Sequence, residues 1–116
     1  MAELRDDEEE GSRIEQFRAL VELEPEDYLG HFGLATAYFE AGRFREAAEE
    51  FRATLSLKPD YSAAYRYLGQ SLEKLGEAEE AREVFLKGIE VAQRNGDLQT
   101  KKEIEVFLRR LGKPAG

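Results

Sequence analysis

Apolar residues recur along most of this chain at the spacing of a single helix face. In the segment 27–41, His31, Leu34, Ala35 and Tyr38 stand at positions i, i+3, i+4 and i+7. Side chains at this spacing lie above one another on a helix, so they form one stripe that can be buried. The pattern therefore predicts a helix over 27–41.

The same period predicts five further helices. Their expected bounds and stripes are 13–23 with Phe17, Leu20 and Val21; 44–57 with Phe44, Ala47, Ala48, Phe51 and Leu55; a helix ending at Gly76 with Tyr65, Leu68, Gly69 and Leu72; a longer helix with Ala78, Ala81, Phe85, Gly88, Ile89 and Ala92; and 98–111 with Ile104, Phe107, Leu108 and Leu111. Ser12 and Glu15 have the spacing of a capping box before the first of these helices. Asp97 is expected to cap the last one.

The pattern itself repeats after 34 residues. Residues 28–61 match the stretch that follows them at many positions, among them Gly42 and Gly76, Ala47 and Ala81, Phe51 and Phe85, Leu34 and Leu68, and Leu55 and Ile89. A fixed period of this length is typical of stacked helical repeats, in which each unit buries its apolar face against its neighbours. The sequence therefore predicts an all-α array of about six helices.

Composition excludes several kinds of site. The chain has 116 residues, no cysteine and a single histidine, His31. Thiolate metal sites, disulfides, a cysteine nucleophile and a site with several histidine ligands are therefore excluded. The acidic start does not resemble a signal peptide, and no apolar run approaches the length of a membrane span. We predict a soluble, cytoplasmic protein that uses no metal and no cofactor.

Charge is distributed unevenly along the chain. The formal net charge is −8, which gives no general attraction to nucleic-acid phosphates, so no nucleic-acid partner is predicted. Residues 1–11 are predominantly charged, and we expect them to be disordered because little in them can be buried. Basic residues concentrate near the other end, and we interpret them as a solvated helix face: Lys101, Lys102, Arg109, Arg110 and Lys113.

These residues resemble the tetratricopeptide repeat, a 34-residue helix–turn–helix unit. The matching residues are His31, Leu34, Ala35, Tyr38, Gly42, Ala47, Phe51, Thr54 and Pro59 in one repeat, and Tyr65, Leu68, Gly69, Leu72, Gly76, Ala81, Phe85, Gly88 and Gln93 in the next. His31 replaces the usual tryptophan and Gln93 the usual proline. The resemblance implies a right-handed superhelical array of antiparallel helix pairs. We expect one domain over 12–111, divided into a half repeat 12–25, repeats 28–61 and 62–95, and a capping helix 97–111, with a tail 112–116.

Candidate catalytic residues are few. His31 lies on the buried stripe, where the family keeps a large aromatic residue, and we interpret it as a packed structural histidine. No combination of Ser, His and Asp suggests a nucleophilic triad. The glycines lie in helices or at their ends and form no phosphate-binding loop. We therefore predict that the chain is not an enzyme.

The resemblance also indicates where a partner would bind, because the first helix of each pair lines the concave face of such arrays. The implied positions are Leu29, Phe32, Gly33, Thr36, Phe39 and Glu40 in one repeat, and Ala63, Arg66, Tyr67, Gln70, Glu73 and Lys74 in the next. Helix geometry agrees, since Phe32, Thr36 and Phe39 form a row beside the buried stripe and cannot share its full burial. With only two inward-facing helices expected, the groove should be short.

The predicted function is the binding of a short protein or peptide segment in this groove, as an adaptor or scaffold. Phe32, Phe39 and Tyr67 would supply apolar anchors, and Arg66 and Lys74 would favour an acidic group or a chain-terminal carboxylate. The alternative is that aromatic side chains occur at these positions simply because they fit the packing. Family members that hold chaperone tails use a Lys and an Asn where this chain has Phe32 and Thr36, which argues against that ligand.

A second hypothesis is self-assembly into a homo-oligomer. The helix predicted over 13–23 lacks the first helix of its repeat, so one side of it is expected to be open. With an acidic front and a basic back, molecules could stack head to tail, or they could pair through the open end. The charged outer face of the helix over 98–111 instead suggests a terminal cap and a true C-terminal end.

Overall fold

The computed structural model describes residues 6–112, and their side chains from residue 8 onward. This part of the chain consists of six α-helices joined by short turns, and it contains no strand. The helices are α1 Asp6–Leu23, α2 Tyr28–Glu40, α3 Phe44–Leu57, α4 Ser62–Lys74, α5 Ala78–Asn95 and α6 Leu98–Leu111. The predicted all-α class with about six helices is therefore confirmed.

The turns after α2 and α4 are built on the two glycines that were predicted to end these helices. Gly42 has a φ of +76° and Gly76 a φ of +81°, a left-handed backbone that costs glycine little. In the first of these turns the amide of Arg43 donates to the carbonyl oxygen of Tyr38. This bond satisfies a carbonyl at the helix end and turns the chain back for the next helix.

The start of α1 differs from the prediction. The helix begins at Asp6, so the disorder predicted for residues 1–11 is wrong for 6–11; residues 1–5, and 113–116 of the predicted tail, lie outside the described residues. Ser12 lies inside the helix, so it does not cap it. Acidic side chains near a helix N-terminus interact favourably with the free amides there, and glutamate is a good helix former. Neither effect requires burial, which was the criterion behind the disorder prediction.

The helices form a right-handed superhelical array of antiparallel pairs. Each helix packs on the next one along the chain, and α4 also contacts α2 and α6. The described part of the molecule is elongated, with extents of 53 × 27 × 23 Å. The core is therefore a continuous apolar layer along the array, with no single centre.

The second helix of each repeat contributes a phenylalanine to this core. The side chains of Phe51 and Phe85 are completely buried. Gly69 of α4 lies so close to Phe85 that an added Cβ would be 2.2 Å from a ring carbon. The absence of a side chain at Gly69 therefore lets α4 and α5 approach closely.

Helix α6 continues the array in the register of α2. Asp97 caps α6 as predicted, and Asp27, for which no cap was predicted, caps α2; each carboxylate accepts a hydrogen bond from a backbone amide in the first turn. Counted from these caps, buried Leu34 corresponds to Ile104, which is also buried. Helix α6 therefore matches the first helix of a pair, as α2 and α4 do. It lies beside α4 on the same side of the array as α2.

Candidate partner-binding face

Helices α2, α4 and α6 form one side of the array. Helix α4 packs against both of the others, whereas the backbones of α1, α3 and α5 do not approach one another within the described residues; α3 and α5 are linked by the ion pair of Arg52 with Glu80. Helices that touch on one side and splay on the other produce a curved array. The concave side is therefore formed by α2, α4 and α6, and the sequence-based expectation of only two inward-facing helices was wrong.

Three of the predicted contact residues belong to an aromatic cluster that joins α2, α3 and α4. The ring of Tyr67 stacks on Phe51 with centroids 5.4 Å apart. It meets the rings of Phe32 and Phe39 edge-on at 5.8 and 5.3 Å. Such pairs contribute about 0.5–1.5 kcal/mol each beyond the area that they bury. Phe32, Phe39 and Tyr67 therefore stabilise the fold, and a partner can reach only the exposed remainder of these half-buried rings.

Arg66 also has partners within the chain. Its Nε lies 3.0 Å from a carboxylate oxygen of Glu103 in α6. Its guanidinium lies 4.3 Å from the ring centroid of Tyr67, and it donates a 3.4 Å hydrogen bond to Gln70. An acidic group of a partner would therefore have to compete with Glu103 for Arg66.

The remaining predicted contact residues differ in their availability. Lys74 is exposed near the end of α4 and forms no ion pair with another described residue. Thr36 is half-buried, and its hydroxyl donates to the carbonyl oxygen of Gly33. Leu29 is 53% exposed, but it lines a separate cleft against α1. Lys74 and Thr36 are thus the predicted residues that a ligand on the concave face could reach with least rearrangement.

Two other residues that the resemblance placed on this face are used in the contact with α1. An added Cβ on Gly33 would be 2.2 Å from a ring carbon of Phe17, so Gly33 belongs to the packing of α1 on α2 and not to the open groove. Glu40 forms an ion pair with Arg13 of α1. Ala63 and Glu73 are half-buried on α4.

Helix α6 adds positive charge that the site prediction did not include. In the register set by the helix caps, Lys102 corresponds to Phe32 and Arg66, and Arg109 corresponds to Phe39. Both basic residues are exposed and form no ion pair within the described residues. Together with Lys74 they are three cations without an acidic partner within the described residues, and Lys102 and Arg109 border a cleft at the open end of α6, beside the concave face. The sequence pattern did not reveal this correspondence, because equivalent positions in α4 and α6 are separated by two residues more than the 34-residue period.

His31 is held by hydrogen bonds at both ring nitrogens. Its Nδ1 lies 2.7 Å from a carboxylate oxygen of Glu50, and its Nε2 lies 2.7 Å from the carbonyl oxygen of Pro25. Burial lowers the pKa of His31, but the bonds to Glu50 and Pro25 and the charge of Glu50 outweigh burial and raise it overall. These partners hold the ring between α2, α3 and the turn before α2, in agreement with a structural role.

The described residues offer little for metal chemistry or membrane insertion. They contain no group of three or more His, Cys, Asp or Glu residues close enough to hold a metal ion. None of the helices in residues 6–112 has the length and apolar character needed to span a bilayer.

The outer side carries a cleft of about 430 Å³ between α3 and α5, with Leu55, Leu68 and Val84 among its lining residues.

Comparison with known sequences identifies a family. A model of the tetratricopeptide repeat matches residues 14–44 and 32–97. The chain is 34% identical over 98 residues to TPR repeat-containing protein PA0015 of Pseudomonas aeruginosa, covering 84% of this chain and 93% of that protein. It is 32% identical over 92 residues to DnaJ homolog subfamily C member 3 of Mus musculus, covering 79% of this chain and only 18% of that longer protein.

Solved structures show the same architecture. The solution structure of protein BPP2914 from Bordetella parapertussis has a TM-score of 0.75 and 37% identity, covering 84% of this chain and 85% of that one. The TPR2B domain of yeast Sti1, solved in complex with pHsp70, has a TM-score of 0.84 at 16% identity, covering 89% and 82%. The first TPR of Spaghetti (RPAP3), solved with the HSP90 peptide SRMEEVD, has a TM-score of 0.78 at 21% identity, covering 89% and 77%. At such low identity, the last two show a likeness of fold alone.

Proposed function

Because this chain belongs to the tetratricopeptide repeat family, we propose that it binds a short segment of a partner protein on the concave face of α2, α4 and α6. The observation that carries this proposal is the continuity of that face. Three adjacent helices present half-buried aromatic rings at the α2–α4 side and unpaired cations at the α4–α6 side. Structurally similar repeats have been solved with peptides bound.

The chemistry of the face favours a ligand with one apolar and one acidic portion. Exposed parts of the rings of Phe32 and Phe39 offer apolar contact, and binding energy in interfaces concentrates on such residues. Lys74, Lys102 and Arg109 lack acidic partners in the described part of the chain, so a carboxylate could bind there without breaking an internal ion pair. Arg66 is less available because of Glu103. The proposed ligand is therefore an extended acidic segment or a chain terminus that carries an apolar side chain.

The same proposal covers the cellular role. A non-catalytic module of this family, working without metal or cofactor, would act as an adaptor or scaffold between other proteins. We propose that residues 12–111 serve as one domain in this role and that the chain acts in the cytoplasm. The two engaged nitrogens of His31 agree with the absence of catalysis, because neither nitrogen is free to exchange a proton with a substrate without losing a structural bond.

The test is selection of ligands from a random peptide display library on the whole chain, followed by affinity measurement on variants. Thr36→Glu with Lys74→Glu adds negative charge to the concave face at half-buried and exposed positions. The matched control is Ser56→Glu with Lys87→Glu, which makes the same change in charge at the outer cleft. We expect the first pair to weaken binding about tenfold or more, which corresponds to about 1.4 kcal/mol, and the control pair to leave it within about twofold.

Two results would contradict the proposal. One is equal weakening by both pairs of substitutions, which would indicate attraction by net charge alone. The other is loss of binding only in the outer-cleft pair. Phe39→Ala with Arg66→Glu is less suitable as a first test, because Phe39 packs on Phe44 and Tyr67 and Arg66 pairs with Glu103. Loss of binding in that variant could reflect a disturbed fold.

A further inference from the structure

The two ends of the array leave apolar side chains exposed within residues 6–112. At the α1 end, a cleft of about 270 Å³ is bordered by Leu20, Leu23 and Leu29, whose exposed fractions are 51%, 78% and 53%. At the α6 end, Leu98 is 56% exposed and Val106 is 37% exposed. Exposed apolar residues are unremarkable singly, but five of the seven large ones in the described residues lie at the two ends of the stack, the others being Leu57 of α3 and Leu86 of α5.

The charges at the two ends are opposite. Helix α1 contains seven acidic and two basic residues, whereas α6 contains four basic and two acidic ones. Glu24 and Asp27 border the α1 cleft. Lys102 and Arg109 border a cleft of about 490 Å³ on α6. Two α1 faces would repel each other, so the charge pattern favours an α1 face meeting an α6 face.

The register of the helices makes the two ends complementary as well. Helix α1 corresponds to the second helix of a pair, since Phe17 lies against Gly33 of α2 as Phe51 lies against Tyr67 of α4. Helix α6 corresponds to the first helix of a pair, as its cap shows. Within residues 6–112, α1 lacks the helix that would precede it in a repeat and α6 lacks the one that would follow. We propose that α6 of one copy packs on α1 of a second copy and thereby completes a helix pair between two chains.

Contacts inside the chain indicate which residues would meet. Tyr28 and Phe32 of α2 both contact Tyr61, with ring centroids 5.3 and 4.9 Å apart. Leu98 and Lys102 hold the positions of Tyr28 and Phe32 in α6. Asp27 holds the position of Tyr61 relative to α1. Leu98 would therefore enter the apolar cleft, and Lys102 would approach Asp27 and its neighbour Glu24.

A second contact inside the chain also has a counterpart in the proposed contact between two chains. Phe39 of α2 and Phe44 of α3 meet edge-on with centroids 5.4 Å apart. Arg109 holds the position of Phe39 in α6, and Glu10 holds the position of Phe44 in α1. The aromatic pair inside the chain would thus be replaced by a pair of opposite charges between chains. Such a contact joins unlike surfaces, so it generates an open series of copies unless its rotation closes a ring.

The proposal is tested by the molar mass in solution, measured by light scattering across a range of protein concentrations at low and high salt. We expect mass to rise with concentration at low salt and association to weaken as salt increases, because exposed charges are screened within about 10 Å at ~0.1 M salt. Lys102→Glu with Arg109→Glu should weaken association about tenfold or more. Lys87→Glu with Arg94→Glu, an equal change in net charge on exposed positions of α5, should leave it unchanged.

A charge swap separates this interface from nonspecific attraction. Glu10→Lys with Glu24→Lys reverses the charge on the α1 side and should also weaken association about tenfold or more. Mixing this variant with the α6 variant should restore association, since each then presents a charge that fits the other. Leu98→Ala should weaken association with little loss of helix content, because Leu98 is largely exposed. A wild-type chain that stays monomeric at every concentration tested, or two reversed variants that do not associate when mixed, would overturn the proposal. Thr36→Glu with Lys74→Glu changes groove residues outside this interface and should not affect assembly; Lys102 and Arg109 belong to both proposals, so this pair separates a failure of assembly from a failure of groove binding.

Discussion

At the scale of single residues, His31 shows how one side chain can tie three segments together. The carbonyl of Pro25 can only accept a hydrogen bond, and the carboxylate of Glu50 accepts one when ionised, so both ring nitrogens donate when His31 is charged. Burial opposes this charged form, but the two bonds and the charge of Glu50 prevail and raise the pKa of His31. The protonated ring therefore contributes to the stability of the fold.

This gives a prediction with a definite sign. The stabilisation should be complete below the unfolded pKa of about 6.5 and should be lost as pH rises through the higher pKa of the folded state. His31 is the only histidine, so its ring proton resonances can be followed directly by NMR. We expect a titration midpoint above that of an unfolded histidine, and a lower midpoint in Glu50→Gln. A wild-type midpoint at or below the unfolded value would show that burial prevails.

Two glycines in equally close contacts, Gly33 with a ring of the preceding helix and Gly69 with a ring of the following helix, allow two substitutions to be compared. An added Cβ would be 2.2 Å from a ring carbon at both Gly33 and Gly69. The ring that faces Gly69 is that of completely buried Phe85, whereas the ring of Phe17 at Gly33 is partly exposed at the edge of the array. We expect Gly69→Ala to destabilise the chain by about 1–3 kcal/mol in urea unfolding, because the buried ring cannot move aside. Gly33→Ala should cost less, and an equal or larger cost at Gly33 would contradict this account of the packing.

Much at this scale was predictable from the sequence, and some was not. The buried stripe of Leu34, Ala35 and Tyr38 follows from helix geometry alone. The ion pair between Arg66 and Glu103 could not be predicted from the same spacing. It joins residues on two helices whose separation departs from the 34-residue period, and side-chain directions across such a junction depend on the packing angle.

At the scale of helices, α6 is fastened to the array through its N-cap. Asp97 accepts a 2.6 Å hydrogen bond from the hydroxyl of Ser62 at the start of α4, and it also caps the amide of Thr100. The bond from Ser62, followed by those from Thr100, lowers the pKa of Asp97. This carboxylate therefore connects the first turns of two helices on the concave face.

We predict that Asp97→Ala destabilises the chain by about 0.5–2 kcal/mol, the usual cost of losing an N-cap. The stabilisation by the charged carboxylate should be present above the unfolded pKa of Asp97 and should be lost as pH falls through its lower folded pKa. Asp97→Asn keeps the capping oxygen but removes the charge. Its stability deficit, measured by denaturant unfolding, should therefore shrink towards acid pH. A deficit that is independent of pH would exclude a contribution from this charge.

Helices α1 and α6 show where periodicity is insufficient at this scale. The acidic start of α1 contains no apolar stripe before Ile14, so the pattern alone placed the start of the helix too late. The charged outer face of α6 suggested a helix that closes the array. Its N-cap residue and its buried Ile104, however, align it with α2, the first helix of a repeat. The helix dipole stabilises the start of α1, and the packing register on α4 determines the role of α6. Neither of these interactions produces an apolar repeat that could be recognised in the sequence.

At the scale of the whole molecule, curvature decides which surface can receive a partner. The elongated array measures 53 Å along its longest axis, and its inner side combines aromatic rings from two helices with cations from α4 and α6. The family and the stacking of helix pairs could be predicted from the 34-residue period. The third inward-facing helix and its contribution of Lys102 and Arg109 required the packing of α6 on α4.

The most direct test of the central claim is a map of amide chemical shifts for the whole chain, titrated with a peptide selected from the display library. We expect the largest shifts on α2, α4 and α6, around Thr36, Lys74 and Lys102, while amides around Ser56 and Lys87 at the outer cleft stay unchanged. Shifts centred on the outer cleft between α3 and α5, with the concave face unaffected, would contradict it.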